Sequence, residues 1–366
     1  MPETPRILIV RLFAIGDVVM ATPVLKTVKS SVPDASVMFM VGKWSAPVLE
    51  CNPYIDNVMF VDDHAFFDRK WTELIKIGMT LRANKFDAVI SLHGSRALNS
   101  LLYLSTWPAK FYCLSYPNRK IPATGRVDID LGRHKVELFT ELAEKAAAGS
   151  PGRVHHPCVY LDPVEIETGK QIVESRLAVD PRRLLCLCPG GGKNPGSFEP
   201  SKRWGTGRYG ELARMILDET DFGIILLGNV DDSPLLDELT ASGKDARRIV
   251  SITDLDLRRA AAVINTCSLI VGNDSGLMHI AAALARKTIT IFGPTEPSHV
   301  RPYSPSSKVL SARLPCSPCD VTKRDHRNPV TCSTMECMKQ IDPVMVMAEI
   351  KKTALEAETR ESRSRT

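Results

Sequence analysis

Short apolar runs alternate with longer stretches of helical period from the first residues onward. Residues 6–11 read as a strand, 18–31 as a helix, 36–41 and 57–61 as strands, 71–82 as a helix and 87–92 as a strand. After a helix over 134–148, Gly149, Ser150, Pro151 and Gly152 interrupt the pattern. It resumes with a helix over 163–177, a strand over 184–188, a helix over 209–219 and a strand over 223–227. Helices over 233–241 and 255–265 and strands over 269–272 and 288–292 follow. This alternation predicts parallel sheets flanked by helices, an α/β chain of two doubly wound domains. The expected domains are 1–165 and 166–342, followed by 343–366. That last stretch divides into a closing helix over 343–357 and a charged, disordered tail over 358–366. No sequence repeat relates the halves.

Open α/β domains bind ligands beyond the carboxyl ends of their strands, which makes the loops after strands the candidate sites. The run 269–272 breaks at Asn273, Asp274, Ser275 and Gly276, then restarts as an alanine-rich helix carrying His279. Asp274 or Ser275 can cap that helix, Gly276 admits a ligand to the backbone, and the first N–H groups of the helix suit a phosphate. The strand over 184–188 runs into Pro189, Gly190, Gly191, Gly192 and Lys193, with Lys202 and Arg203 soon after, cations fitted to a diphosphate. His279 is a phosphate contact or a core histidine; Thr295, beside Gly293, meets phosphate or ribose or belongs to a plain turn. After the first strand come Gly16 and Asp17. Asp17 is a candidate base or simply the cap of its helix. His93 and Arg96, after the strand over 87–92, join Gly16 as candidate acceptor contacts. No Gly-x-Gly-x-x-Gly follows the first strand, which argues against a dinucleotide-binding first turn.

A length of 366 residues with 44% hydrophobic content accommodates two sizeable cores, and no apolar run reaches membrane-spanning length. The N-terminus enters a strand without a signal-peptide core, so cytoplasmic residence is expected. A net charge of +5, spread along the chain, fits an anionic substrate or membrane surface, with Lys26, Lys29, Arg82 and Lys85 available for anionic lipid, and argues against a dedicated nucleic-acid binder. Of ten cysteines, six lie in apolar or strand-like surroundings; Cys316, Cys319, Cys332 and Cys337 form a separate group. That group reads as a structural zinc site, as free thiols or as a disulfide.

The ordered set resembles glycosyltransferase family 9, the ADP-heptose:lipopolysaccharide heptosyltransferases, over most of the chain. It comprises Gly16-Asp17 with Ala21-Thr22-Pro23, the strand and loop over 87–94, Pro189-Gly190 with Lys202-Arg203-Trp204, Asn273-Asp274-Ser275-Gly276 with His279, and Phe292-Gly293-Pro294-Thr295. The resemblance implies a GT-B fold, two Rossmann-like domains facing across a cleft, with the acceptor on the first and the nucleotide-sugar donor on the second. It implies inverting, metal-independent transfer of heptose or a related sugar from an ADP-sugar to the lipopolysaccharide inner core, in contact with the cytoplasmic face of the inner membrane. Asp17 matches the catalytic aspartate, Lys202 the diphosphate-binding lysine, and Asp274, Ser275, Gly276 and His279 the donor turn. The loop over 228–232 departs from the family pattern and leaves the nucleotide base open. A non-catalytic nucleotide-sugar-binding or scaffolding protein of the same fold is the alternative.

Overall fold

In a computed structural model the chain is described over residues 4–62, 70–118, 121–147, 154–177, 179–180, 183–195, 197–234, 236–237, 247–319, 332 and 334–364. It divides into two compact units, Met1–Tyr160 and Leu161–Thr366, with residues 194–197 grouped with the first.

The first unit runs β1 (Arg6–Val10), α1 (Ile15–Ser31), β2 (Ser36–Gly42), β3 (Asn57–Val61), α2 (Trp71–Ala83), β4 (Ala88–Ser91), α3 (Arg96–Thr106), β5 (Lys110–Ser115), β6 (Gly125–Asp128) and α4 (Lys135–Ala146). Its sheet has the order β3-β2-β1-β4-β5-β6, and every pairing is parallel. The interior strands are buried on both faces, which is why β1 reads as an almost continuous apolar run, Ile7 to Val10. Helix α1 carries Pro23, whose missing N–H leaves the Val19 carbonyl without its helical donor. The Thr22 hydroxyl donates to that carbonyl at 2.8 Å and accepts from the Cys158 N–H at 3.0 Å, so Thr22 mends the helix that Pro23 interrupts.

The second unit runs α5 (Pro163–Glu174), β7 (Leu184–Cys188), α6 (Thr206–Glu219), β8 (Gly223–Leu227), β9 (Ile249–Ile252), α7 (Leu257–Thr266), β10 (Leu269–Asn273), α8 (Gly276–Ala283), β11 (Lys287–Phe292), β12 (Ser307–Ser311) and α9 (Pro343–Ser364). The order β9-β8-β7-β10-β11-β12, again all parallel, repeats that of the first unit. One face of the sheet packs under α6 and α9, with Trp204, Tyr209, Val346 and Ile350 buried there; the other packs under α5, α7 and α8.

Two expectations change. The closing helix continues through residue 357 to Ser364, because the stretch expected as a tail contains helix-favouring Glu and Arg and neither Gly nor Pro. Helix α1 begins earlier, at Ile15, so Gly16 and Asp17 stand inside its first turn and not ahead of it. The helix expected over 233–241 and the break at 149–152 lie largely outside the described residues.

Candidate functional site

The strand order of each unit places its topological switch point between the first and fourth strands, where the loops leave toward opposite faces and open a crevice at the strand ends. The candidate loops lead from these strands: after β1 and β4 in the first unit, after β7 and β10 in the second.

In the first unit the turn into α1 bends through Ala14, a non-glycine residue at φ 63°, and sets Asp17 in the first helical turn, where the helix dipole favours an anion. Asp17 takes ion pairs on both carboxylate oxygens: Arg11 on Oδ2, and the Lys135 Nζ at 2.7 Å from Oδ1. Arg11 is itself positioned, donating to the Leu92 carbonyl at 2.6 Å and lying over the Phe139 ring. Lys135 opens α4, whose cap is His134, and reaches Asp17 because α4 packs on α1. A carboxylate oxygen has two lone pairs, so ion pairing by itself does not bar Asp17 from accepting a hydrogen bond from a hydroxyl.

His93 braces the loops at the first crevice. It is buried, and its Nε2 accepts the Leu12 N–H at 2.9 Å, tying the β4 loop to the β1 loop that carries Asp17. Burial, reinforced by the positive charges of Arg11 and Lys135 against the opposing Asp17, holds its pKa well below 6.5, so the ring is neutral. Asn99 braces the same loop, donating to the His93 and Leu114 carbonyls and accepting from the Ser91 hydroxyl. Arg96, at the start of α3, is exposed.

In the second unit Ser275 is the N-cap residue of α8, yet its side chain makes no capping bond, and its buried hydroxyl oxygen has no hydrogen-bond partner. Beside it Asp274 pairs with Lys202, Nζ to Oδ2 at 2.9 Å. Burial alone would raise the Asp274 pKa, but Lys202, with His279 and Thr295, outweighs it and the carboxyl titrates below 3.8. His279 and Thr295 are both buried. Gly191, at φ 112°, lies so close that a Cβ there would stand 2.9 Å from that of Ser275, which brings the β7 loop against the α8 start. Arg203 does not present a free cation to a ligand: its Nε donates to the Gly191 carbonyl and its guanidinium pairs with buried Asp232 at 2.9 Å. Asn273 locks the assembly. Its Oδ1 accepts from the Trp204 N–H and the Tyr209 hydroxyl, each at 3.1 Å, while its Nδ2 donates to the Pro189 and Gly190 carbonyls. The turn brings together Lys202, paired with Asp274, the helix N–H groups and an unsatisfied hydroxyl, a set that suits an anion.

Of the four grouped cysteines, Cys319 and Cys337 are buried and Cys316 and Cys332 exposed. Desolvation raises the Cys337 pKa, with the other three sulfurs near enough to add to the shift. Among the described residues no three of these sulfurs lie within 4.8 Å of one another, wider than a tetrathiolate centre holds its ligands.

Sequence reasoning missed Arg11, Lys135, Asn99, Asp232 and Asn273 as organisers. Asn273 adjoins the recognised turn, whereas Lys135 is brought to Asp17 from 118 positions away and carries no local signal.

The family model for glycosyltransferase family 9 (heptosyltransferase) matches residues 74–328. The chain belongs to glycosyltransferase family 9. Its relatives include lipopolysaccharide heptosyltransferase 2 of Salmonella typhimurium, 26% identical across 83% of this chain and 87% of the relative. Lipooligosaccharide heptosyltransferase 2 of Haemophilus ducreyi is 28% identical across 83% and 88%. Among solved structures, the E. coli ADP-heptose lps heptosyltransferase II superposes with a TM-score of 0.74 at 23% identity, covering 97% of this chain and 100% of that one. Like that fold, this family 9 glycosyltransferase is of GT-B type, two Rossmann-like units.

Proposed function

We propose that this family 9 glycosyltransferase transfers heptose from ADP-heptose to the inner core of lipopolysaccharide or lipooligosaccharide. The observation that carries the reading is the α8 turn, where Lys202 and the orphaned Ser275 hydroxyl stand at a helix N-terminus whose shape Gly191 and Asn273 fix. A diphosphate gains negative charge as its bond to the sugar breaks, and such pre-aimed donors each lower a barrier by about 3 kcal/mol. That stabilisation requires no metal ion. Asp17 takes the proton of the acceptor hydroxyl as its oxygen attacks the anomeric carbon from the face opposite the departing ADP, inverting the configuration. Arg11 and Lys135 aim the carboxylate, and Gly16 and Arg96 meet the acceptor, Arg96 supplying a cation for an anionic one. Gly190, Gly191, Gly276, His279 and Thr295 complete the donor pocket, with Arg203 holding its loop.

No helix among the described residues is long and apolar enough to cross a membrane. Contact with the cytoplasmic face of the inner membrane is therefore peripheral in this reading, through exposed Lys26, Arg82 and Lys85, with Lys29 instead neutralised by Asp56 at 2.8 Å. Incubating the purified full chain with ADP-heptose and a heptose-deficient core oligosaccharide tests the proposal. One heptose should be added per acceptor, unaffected by EDTA. Tight ADP-heptose binding without transfer would favour the scaffolding alternative.

A further inference from the structure

Helix α2 carries two apolar stripes. Leu74, Ile77 and Leu81 face the core of the first unit, whereas Trp71, Ile75 and Met79, spaced by four, form a second row in which each residue is at least 60% exposed. Leu104 of α3, 67% exposed, borders the same space. A helix that already faces the core with one apolar row has no folding use for a second, and an exposed patch of this kind marks a binding surface. Between α2 and α3 lies a cavity of about 920 Å³. Gly78 keeps the two helices close, since a Cβ there would sit 3.0 Å from the Ser105 hydroxyl oxygen. Phe13 and His93, of the β1 and β4 loops, line the cavity together with Arg82.

An occupant must therefore be apolar along α2 and α3, and it must tolerate or carry negative charge near Arg82. We infer that the α2–α3 cavity holds an acyl chain of the glycolipid acceptor, whose saccharide end then lies at Asp17. This rests on the reading of the acceptor as a lipid-linked core saccharide. That Phe13 and His93, of the loops beside Asp17, line the cavity favours the acceptor's own chain over bulk membrane lipid, which has no need of a passage to those loops.

The test compares transfer to a monomeric acylated acceptor and to the same saccharide stripped of its chains, for the parent protein and an Ile75→Ser, Leu104→Ser variant. Both positions are exposed, so folding should survive, and an unchanged Kd for ADP-heptose verifies it. The parent should show a KM about tenfold or more lower for the acylated acceptor, from the apolar area the chain buries, and the variant should lose that preference while keeping its KM for the stripped one. A parent without the preference, or a variant that retains it, overturns the inference. A variant that loses vesicle binding yet keeps the preference also overturns it, assigning the row to membrane contact, and so does concentration-dependent dimerisation of the parent that the substitutions abolish. If neither acceptor is used, the heptosyl reading fails separately. The cavity is then probed by a lysophospholipid with a brominated chain, which should quench Trp71 fluorescence in the parent and not in the variant; equal quenching in both overturns the inference.

Discussion

Asn273 shows how much one amide can organise. Its four hydrogen bonds join β7, the approach to α6 and β10, and it is fully buried, so truncation leaves two donors and two carbonyls without partners. Asn273→Ala is expected to lower the stability of the second unit by about 3 kcal/mol, read from the urea midpoint, and to weaken ADP-heptose binding through the loosened loop. The Arg203–Asp232 pair illustrates what residue type alone cannot convey. Adjacent lysine and arginine suggest two cations for one diphosphate, yet the guanidinium is committed to the Gly191 carbonyl and to a buried carboxylate whose position depends on the whole β8 loop. Lys202 and Asp17 stand in loops that follow recognisable strand ends, whereas the partners of Arg203 and His93 come from distant segments and leave no local signal.

At the scale of elements, the legible parts were those with strong period and clear punctuation. Strands β7 and β8, and β10 as far as Val271, are apolar runs, and buried parallel strands have that pattern. The start of α1 was not legible, because Ala14 in a left-handed conformation gives no compositional cue and the helix opens with no side-chain cap. The second apolar row of α2 was also hidden, since three exposed large residues merge with the core stripe in any hydrophobicity pattern. The approach of the β7 loop to α8 depends on Gly191. Gly191→Ala would strain a positive φ and press on Ser275, so the Kd for ADP-heptose should rise as the loop shifts away from α8, and the urea midpoint should fall by the equivalent of roughly 1–2 kcal/mol. Calorimetric titration measures the first and urea unfolding the second.

Across the molecule, one strand order used twice generates two crevices, and the sequence predicted both without revealing the long-range contacts that furnish them. Buried His93 couples the first crevice to pH. Unfolded, it protonates near 6.5; folded, it stays neutral well below that value, so its contribution to stability is complete above pH 6.5 and is lost as the pH falls toward the folded value. The parent should lose up to about 1.4 kcal/mol per pH unit below that point, and His93→Gln, which retains an acceptor for the Leu12 N–H, should flatten the slope in urea unfolding between about pH 6.5 and pH 5. The proposed chemistry concentrates on a single carboxylate. Replacing Asp17 by Asn keeps the side-chain shape and removes the base, so kcat for heptose transfer should fall by about a thousandfold with the Kd for ADP-heptose unchanged. An Asp17→Asn protein that transfers heptose at the parent rate would contradict the account.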